Sequence, residues 1–243
     1  MIRIRSALFV LALVLGILLT SLVILLVSPI TTARQRRHIA VYWSRYNLFM
    51  LRWLCGLGVQ AEGLERLPQG CHLVLSKHQS AWETMVFHAF FPNRLWVMKD
   101  SLRRIPVFGW AVHMTGQIFI DRDAGVEAMR TMRRASAEAF QRGDSMILFP
   151  EGTRVDPGVV GPYKPGGVGL ALAAQVPMVP VALDSGLYWP ARTFRIRPGV
   201  VRLRVGTPIA TAGYASKDRN MLMQSLVDAI ESMQQELIPS GDK

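Results

Sequence analysis

Cysteine is nearly missing from this chain of 243 residues, with Cys55 and Cys71 the two present. Their separation suits neither a metal site nor a redox pair, and two thiols make no disulfide framework in a chain this long. Both are expected to be reduced and partly buried. A Gly-x-Ser-x-Gly elbow is absent as well, which removes support for a covalent intermediate on an activated serine. There is no internal repeat and no low-complexity tract, so a solenoid or an array is not expected. Acidic residues are in short supply: 28 Lys and Arg face 17 Asp and Glu, a net charge of +11. That balance suits anionic lipid head groups, nucleic acid or an acidic protein partner.

Charge is missing altogether from Ala7 to Val27, about the ~20 residues that cross a bilayer core. A signal peptide would have a shorter apolar stretch of about 7 to 15 residues and a small-x-small cleavage site after it. Neither is found, so a retained membrane-anchoring helix is expected. Arg3 and Arg5 precede the run and Arg34, Arg36 and Arg37 follow it, which gives the positive-inside rule no orientation to report and leaves both a spanning and a re-entrant anchor open. Residues 38–58 then mix Tyr42, Trp43, Tyr46, Phe49 and Trp53 with Arg45 and Arg52. This is the composition of a helix lying at head-group depth. Residues 1–58 are therefore read as anchor and interfacial helix, and residues 59–243 as one catalytic domain.

After Gly58 short apolar runs alternate with helical stretches, the pattern of an α/β fold with a largely parallel or mixed sheet flanked by helices. Strands are predicted at 72–76, 94–98, 117–121, 145–149 and 178–183, with two basic strands near 194–197 and 201–205. Helices are predicted at 81–91, 124–142, 166–175 and 218–237, the second closed by Gly143. The twelve methionines read as core filling.

The candidate chemistry lies just after the strands, where ligands bind in open α/β sheets. His78 follows the first of them, and Glu83 comes five residues later in Ser76-Lys77-His78-Gln79-Ser80-Ala81-Trp82-Glu83. On one continuous helix this spacing leaves the side chains about 140° apart, so they meet only if His78 precedes the helix. Ser80 as N-cap would start the helix at Ala81 and let Glu83 reach back to the imidazole. The same residues form a capping box, Ser80-Ala81-Trp82-Glu83, and two carboxylate oxygens can serve both roles. A histidine so oriented is a general base, worth roughly 10² to 10⁴ in rate. His38, His72, His88 and His113 lack this setting and are read as structural. Arg122 and Arg154 also follow strands, and forked guanidinium donors suit phosphate oxygens. Gly152 lets the turn approach a ligand closely, while Glu151 would orient Arg154 or accept from a substrate hydroxyl.

At these residues the chain resembles the glycerolipid acyltransferase family over roughly residues 60 to 210. His78 to Glu83 matches its first motif, Gly116 to Arg122 its second, Phe149-Pro150-Glu151-Gly152-Thr153-Arg154 its third without a change, and Val176 to Val181 its fourth. The resemblance implies transfer of a fatty acyl group from acyl-CoA or acyl-carrier protein to the sn-2 hydroxyl of lysophosphatidic acid. It implies His78 and Glu83 as catalytic residues, and Lys99, Arg122, Glu151, Gly152, Thr153 and Arg154 as substrate-binding ones. Glu83 departs from the aspartate usual in the family. No metal and no resident cofactor are expected, and the partners are membrane lipids, the lysolipid and the acyl donor, with the catalytic domain on the cytoplasmic face. Another lysolipid acceptor, such as a lyso-ornithine lipid, fits the same residues. A membrane-tethered basic binding protein is the remote alternative: Arg192, Arg195, Arg197, Arg202 and Arg204 would carry it, but they read as the solvent face of strands and stacking aromatics are sparse there, so nucleic acid is not expected.

Overall fold

The computed structural model describes residues 1–121 and 124–238. Strands β1 (Leu57–Glu62), β2 (Leu73–Ser76), β3 (Leu95–Lys99), β4 (Ile118–Ile120), β5 (Met146–Leu148), β6 (Met178–Leu183) and β7 (Gly199–Val205) form one sheet in the order β1-β7-β6-β2-β5-β3-β4. From β6 through β4 all neighbours are parallel. β7 runs antiparallel to β6, and β1 follows β7 in parallel. The carboxyl ends of β2, β3, β4, β5 and β6 therefore lie along one edge, where the loops that carry the chemistry begin.

The central strand shows why the sheet is covered on both faces. β2 reads Leu-Val-Leu-Ser and all four residues are buried. Successive side chains of a strand point to opposite faces. Val74 accordingly joins a core with Trp82, Phe87, Ile147 and Val181, whereas Leu73 and Leu75 join a second one with Phe140, Val168, Met178 and Leu226. Helix α3 (Trp82–Phe90) lies on the first face, α4 (Phe108–Met114) comes between β3 and β4, and α5 (Val126–Gln141), α6 (Gly166–Ala174) and α8 (Arg219–Leu237) lie on the second face. Pro180 lies inside β6 opposite Leu75 of β2, and its carbonyl accepts from Gly206 N–H at 2.9 Å where the β6–β7 ladder, which starts at Val181, gives out; a proline is tolerated at such a ladder end.

At the N-terminus, α1 (Ile2–Val27) and α2 (Ala33–Met50) make a helical hairpin, and a single π turn (Leu51–Cys55) leads from α2 into β1. A capping box between Thr32 and Gln35 starts α2. One helical stretch, Ile2–Ile30, is long and apolar enough to cross a membrane. Its inner side is not free: Phe9 is buried in the first core, and Tyr46 donates to the Ala12 carbonyl at 3.0 Å. Its outer side exposes Leu8, Leu11, Leu15, Leu19, Leu22 and Leu26. Tyr42, Phe49 and Trp53 are exposed on the second helical segment, while Ser44 is buried and donates to the Val86 carbonyl of α3 at 2.9 Å. The sheet begins at Leu57, so the expected boundary between residues 58 and 59 falls inside β1.

Two expectations need correction. Residues 194–197 form no strand: β7 already has β1 and β6 on its two sides, which leaves no ladder for the segment before it. Ser80 is not the N-cap either, because α3 starts at Trp82 with Ala81 in helical geometry before it. Ser80 still contributes, accepting the Trp82 N–H at 3.2 Å. Cys55 and Cys71 are free thiols, buried and half-buried.

Candidate active site

β2 ends at Ser76, and the Lys77 N–H continues its ladder by donating to the Val181 carbonyl at 2.9 Å. His78 is the next residue, and its backbone is held at both ends: its N–H donates to Glu151 Oε2 at 3.2 Å and its carbonyl accepts from Val155 N–H at 2.8 Å. The imidazole stacks on Phe149 with ring centroids 3.9 Å apart and planes 15° apart. Nδ1 faces Glu83 Oε2 at 3.2 Å. A carboxylate only accepts, so this contact assigns the proton to Nδ1 and leaves Nε2 with its lone pair.

Glu83 is fully buried in the first turn of α3. Besides the imidazole, its oxygens accept from Ser80 N–H at 3.0 and 3.1 Å and from the Ser185 hydroxyl. The orienting and the capping role thus coincide in one carboxylate. Ser185 opens the short α7 (Ser185–Tyr188) directly after β6, 102 residues away from Glu83 in sequence. A serine that distant gives no local signal, so its part was not legible in the chain.

Glu151 lies deeper than expected. It is 1% exposed and its Oε1 sits 2.7 Å from Lys77 Nζ. Lys77 is itself completely buried, and reaches Glu231 Oε1 of α8 at 2.7 Å and the Val159 carbonyl at 3.0 Å. Tyr163 donates to the same Glu231 oxygen at 2.6 Å. Burial raises the Glu151 carboxyl pKa, with Lys77 and the His78 N–H pulling the other way. Burial and the Glu231 carboxylate push the Tyr163 phenol well above its ordinary value. Glu151 is thus paired with Lys77 and does not border the cavity above it; it holds the backbone of His78 from beneath. A lysine at the end of an all-buried strand was the one sequence signal for this cluster.

Above it opens a cavity of about 630 Å³, walled by His78, Trp96, Ile147 and Met132 together with Arg154 and Lys164. Gly152 and Thr153 also border it. Gly152 has a left-handed φ of +73°, and a Cβ there would fall 2.9 Å from Lys164 Nζ. The glycine thus makes room for a second cation beside Arg154, and Lys164 is held there by its N–H donating to the Pro150 carbonyl at 2.8 Å. Lys164 was not among the expected site residues. Lys99 ends β3 on the same edge of the sheet but does not border the cavity. Arg122 lies outside the described residues. Among the described residues no group of three or more His, Cys, Asp or Glu could hold a metal ion.

A histidine braced by a buried carboxylate, at the wall of a cavity lined by apolar side chains and by two cations, is an arrangement able to do general-base chemistry on an amphiphile. The chain belongs to the acyltransferase family: the model of that family, described as Acyltransferase, matches residues 58–184. Among its relatives is the 1-acyl-sn-glycerol-3-phosphate acyltransferase of Pseudomonas aeruginosa, 33% identical over 211 residues, which cover 86% of this chain and 82% of that protein. A Saccharomyces cerevisiae protein of the same name is 26% identical over 82% of this chain and 70% of its own length. The crystal structure of the 1-acyl-sn-glycerophosphate (LPA) acyltransferase from Thermotoga maritima matches with a TM-score of 0.80 at 23% identity, over 100% of both chains. That likeness confirms the fold.

Proposed function

We propose that this chain transfers a fatty acyl group from a thioester donor, acyl-CoA or acyl-carrier protein, to the sn-2 hydroxyl of 1-acylglycerol-3-phosphate, giving phosphatidic acid. The observation that carries the reading is the His78 ring, fixed by Glu83 and Phe149 at the wall of a cavity that also presents Arg154 and Lys164. Nε2 removes the hydroxyl proton as the substrate oxygen attacks the thioester carbonyl. The tetrahedral intermediate then collapses, the carbon–sulfur bond breaks, and the proton on Nε2 passes to the departing sulfur. Glu83 holds the ring in place and stabilises the imidazolium as it forms. The nucleophile is the substrate's own hydroxyl, so neither an acyl-enzyme nor a resident cofactor is needed.

Arg154 and Lys164, with Arg122 after β4, hold the acceptor's phosphate, and Gly152 and Thr153 shape the turn around it. The apolar wall of Trp96, Ile147 and Met132 takes the first carbons of an acyl chain. The enzyme works at a membrane: α1 supplies the anchor, and the catalytic domain faces the cytoplasm. Purified protein assayed with 1-acylglycerol-3-phosphate, with the matching monoacylglycerol and with a lyso-ornithine lipid tests the acceptor. The phosphorylated acceptor should be preferred by at least tenfold in kcat/KM, and equal rates with and without the phosphate would overturn the assignment of the cations.

A further inference from the structure

The arginine-rich segment noted in the sequence separates into two parts. Arg202 pairs with Asp184 at 2.7 Å, and Arg204 contacts both Glu62 and Glu236, so these charges are balanced within the fold. Arg195 and Arg197 are exposed, and among the described residues neither forms an ion pair. Arg3 of α1 is likewise exposed and unpaired. The three arginines border one mainly apolar cavity of about 550 Å³, to which Ala7, Pro190 and Phe194 also contribute.

This loop is locked in place. Ile196 N–H donates to the buried Ser6 hydroxyl of α1 at 3.0 Å, and Arg197 N–H donates to the Tyr188 carbonyl at 2.8 Å. Trp189 meets Phe9 of α1 edge-on at 5.7 Å and donates its indole N–H to the Thr193 carbonyl at 3.0 Å. Phe9 and Ile196 are buried, yet Phe194, next to Arg195 in the chain, stands 78% exposed. Beside Arg3 and Ala7, the neighbouring stripe of α1 exposes Ile4, Leu8 and Leu11. A fixed loop thus holds two cations and an aromatic ring next to Arg3 and a helix face that water does not solvate well.

We infer that this cavity binds the phosphodiester head group of an anionic phospholipid from the bilayer that receives α1. Forked guanidinium donors match phosphate oxygens. An exposed aromatic ring at head-group depth, continuous with an apolar helix face, fits the lipid's glycerol and first methylenes. An acidic protein such as acyl-carrier protein would complement the charges but leave Phe194 and the α1 stripe without a counterpart. The site is separate from the catalytic cavity, since the two have no wall residue in common.

Full-length protein in dodecyl maltoside, mixed with equal amounts of phosphatidylglycerol and phosphatidylcholine and measured by native mass spectrometry, tests the inference. The unaltered protein should retain phosphatidylglycerol in preference. Arg195→Ala/Arg197→Ala should lower that retention at least tenfold, since a basic side chain near an anionic head group contributes on the order of fivefold, with phosphatidylcholine retention unchanged. Arg3→Ala, on a different element, should lower it about fivefold. Unchanged acyl-CoA activity on detergent-dispersed substrate shows that each variant is folded, and Arg3→Ala stands alone as the test if the double variant is not. Equal retention of the two lipids by the unaltered protein, or undiminished phosphatidylglycerol retention by folded variants, overturns the inference. A loss confined to the rate with acyl-carrier protein as donor overturns it in favour of protein docking.

Discussion

At the scale of single residues, the site depends on side chains that serve more than one partner. Glu83 orients the imidazole while accepting from the turn before α3 and from Ser185. Gly152 is equally constrained, by its positive φ and by the lysine tail lying over it. In Gly152→Ala the new methyl must displace Lys164 or open the turn, so KM for 1-acylglycerol-3-phosphate should rise about tenfold or more, as for loss of a charged hydrogen bond. Lys164→Met should raise the same KM by a similar factor while leaving monoacylglycerol turnover near its original value. Steady-state kinetics on both acceptors distinguish this from general damage. His88 offers a pH test of a structural residue. Packed beside Trp43 and Trp96, its pKa falls through burial from 6.5 to about 4. The unfolded chain takes up the proton near pH 6.5 and the folded one only near pH 4, so this residue destabilises the fold as pH drops through that window, by up to about 3 kcal/mol. His88→Leu should flatten that part of the fall in thermal midpoint between pH 7 and 4.5. His78, Glu83 and the Gly152-Thr153-Arg154 turn were legible in the chain because their spacing is local. Ser185 and Lys164 were not, because each is brought in by folding and neither has a distinctive neighbour in sequence.

At the scale of elements, the last helix is tied to the catalytic turn. Lys77 at the end of β2, Glu151 after β5 and Glu231 on α8 meet in one buried cluster, with 154 residues separating Lys77 from Glu231. Burying three charged groups gives little net stability, but removing the cation leaves two carboxylates without their counter-ion. Lys77→Ala should therefore cost about 3–5 kcal/mol, seen as a large drop in thermal midpoint. Adding Glu231→Gln should recover part of it, and a loss below about 1 kcal/mol would show that the cluster does not hold the turn. The element boundaries that failed did so for tertiary reasons. The alternation at 194–197 fits a strand, yet β1 occupies the only free side of β7. β1 itself was hidden in the sequence because Leu57 and Gly58 directly follow the aromatic-rich helix and were counted with it. The basic residues after α1 also take structural roles: Arg36 donates to the Met114 carbonyl at 2.6 Å and Arg37 pairs with Asp144 at 2.6 Å.

At the scale of the whole molecule, one topological fact gathers the chemistry: β2, β3, β4, β5 and β6 run parallel, so the loops after β2, β5 and β6 open on one edge. The alternation of short apolar runs with helical stretches was enough to anticipate this edge, and with it the meeting of His78 and Arg154 at one cavity. The depth of Glu151 was not, since burial depends on what folds over a turn and no local pattern records it. The central claim is that the His78 imidazole removes the proton from the acceptor hydroxyl. The most direct measurement is kcat/KM of His78→Ala with 1-acylglycerol-3-phosphate and acyl-CoA, on protein whose thermal midpoint matches the parent. A fall of at least about 10² is expected, and activity within about fivefold of the parent, well short of that general-base range, would contradict the account.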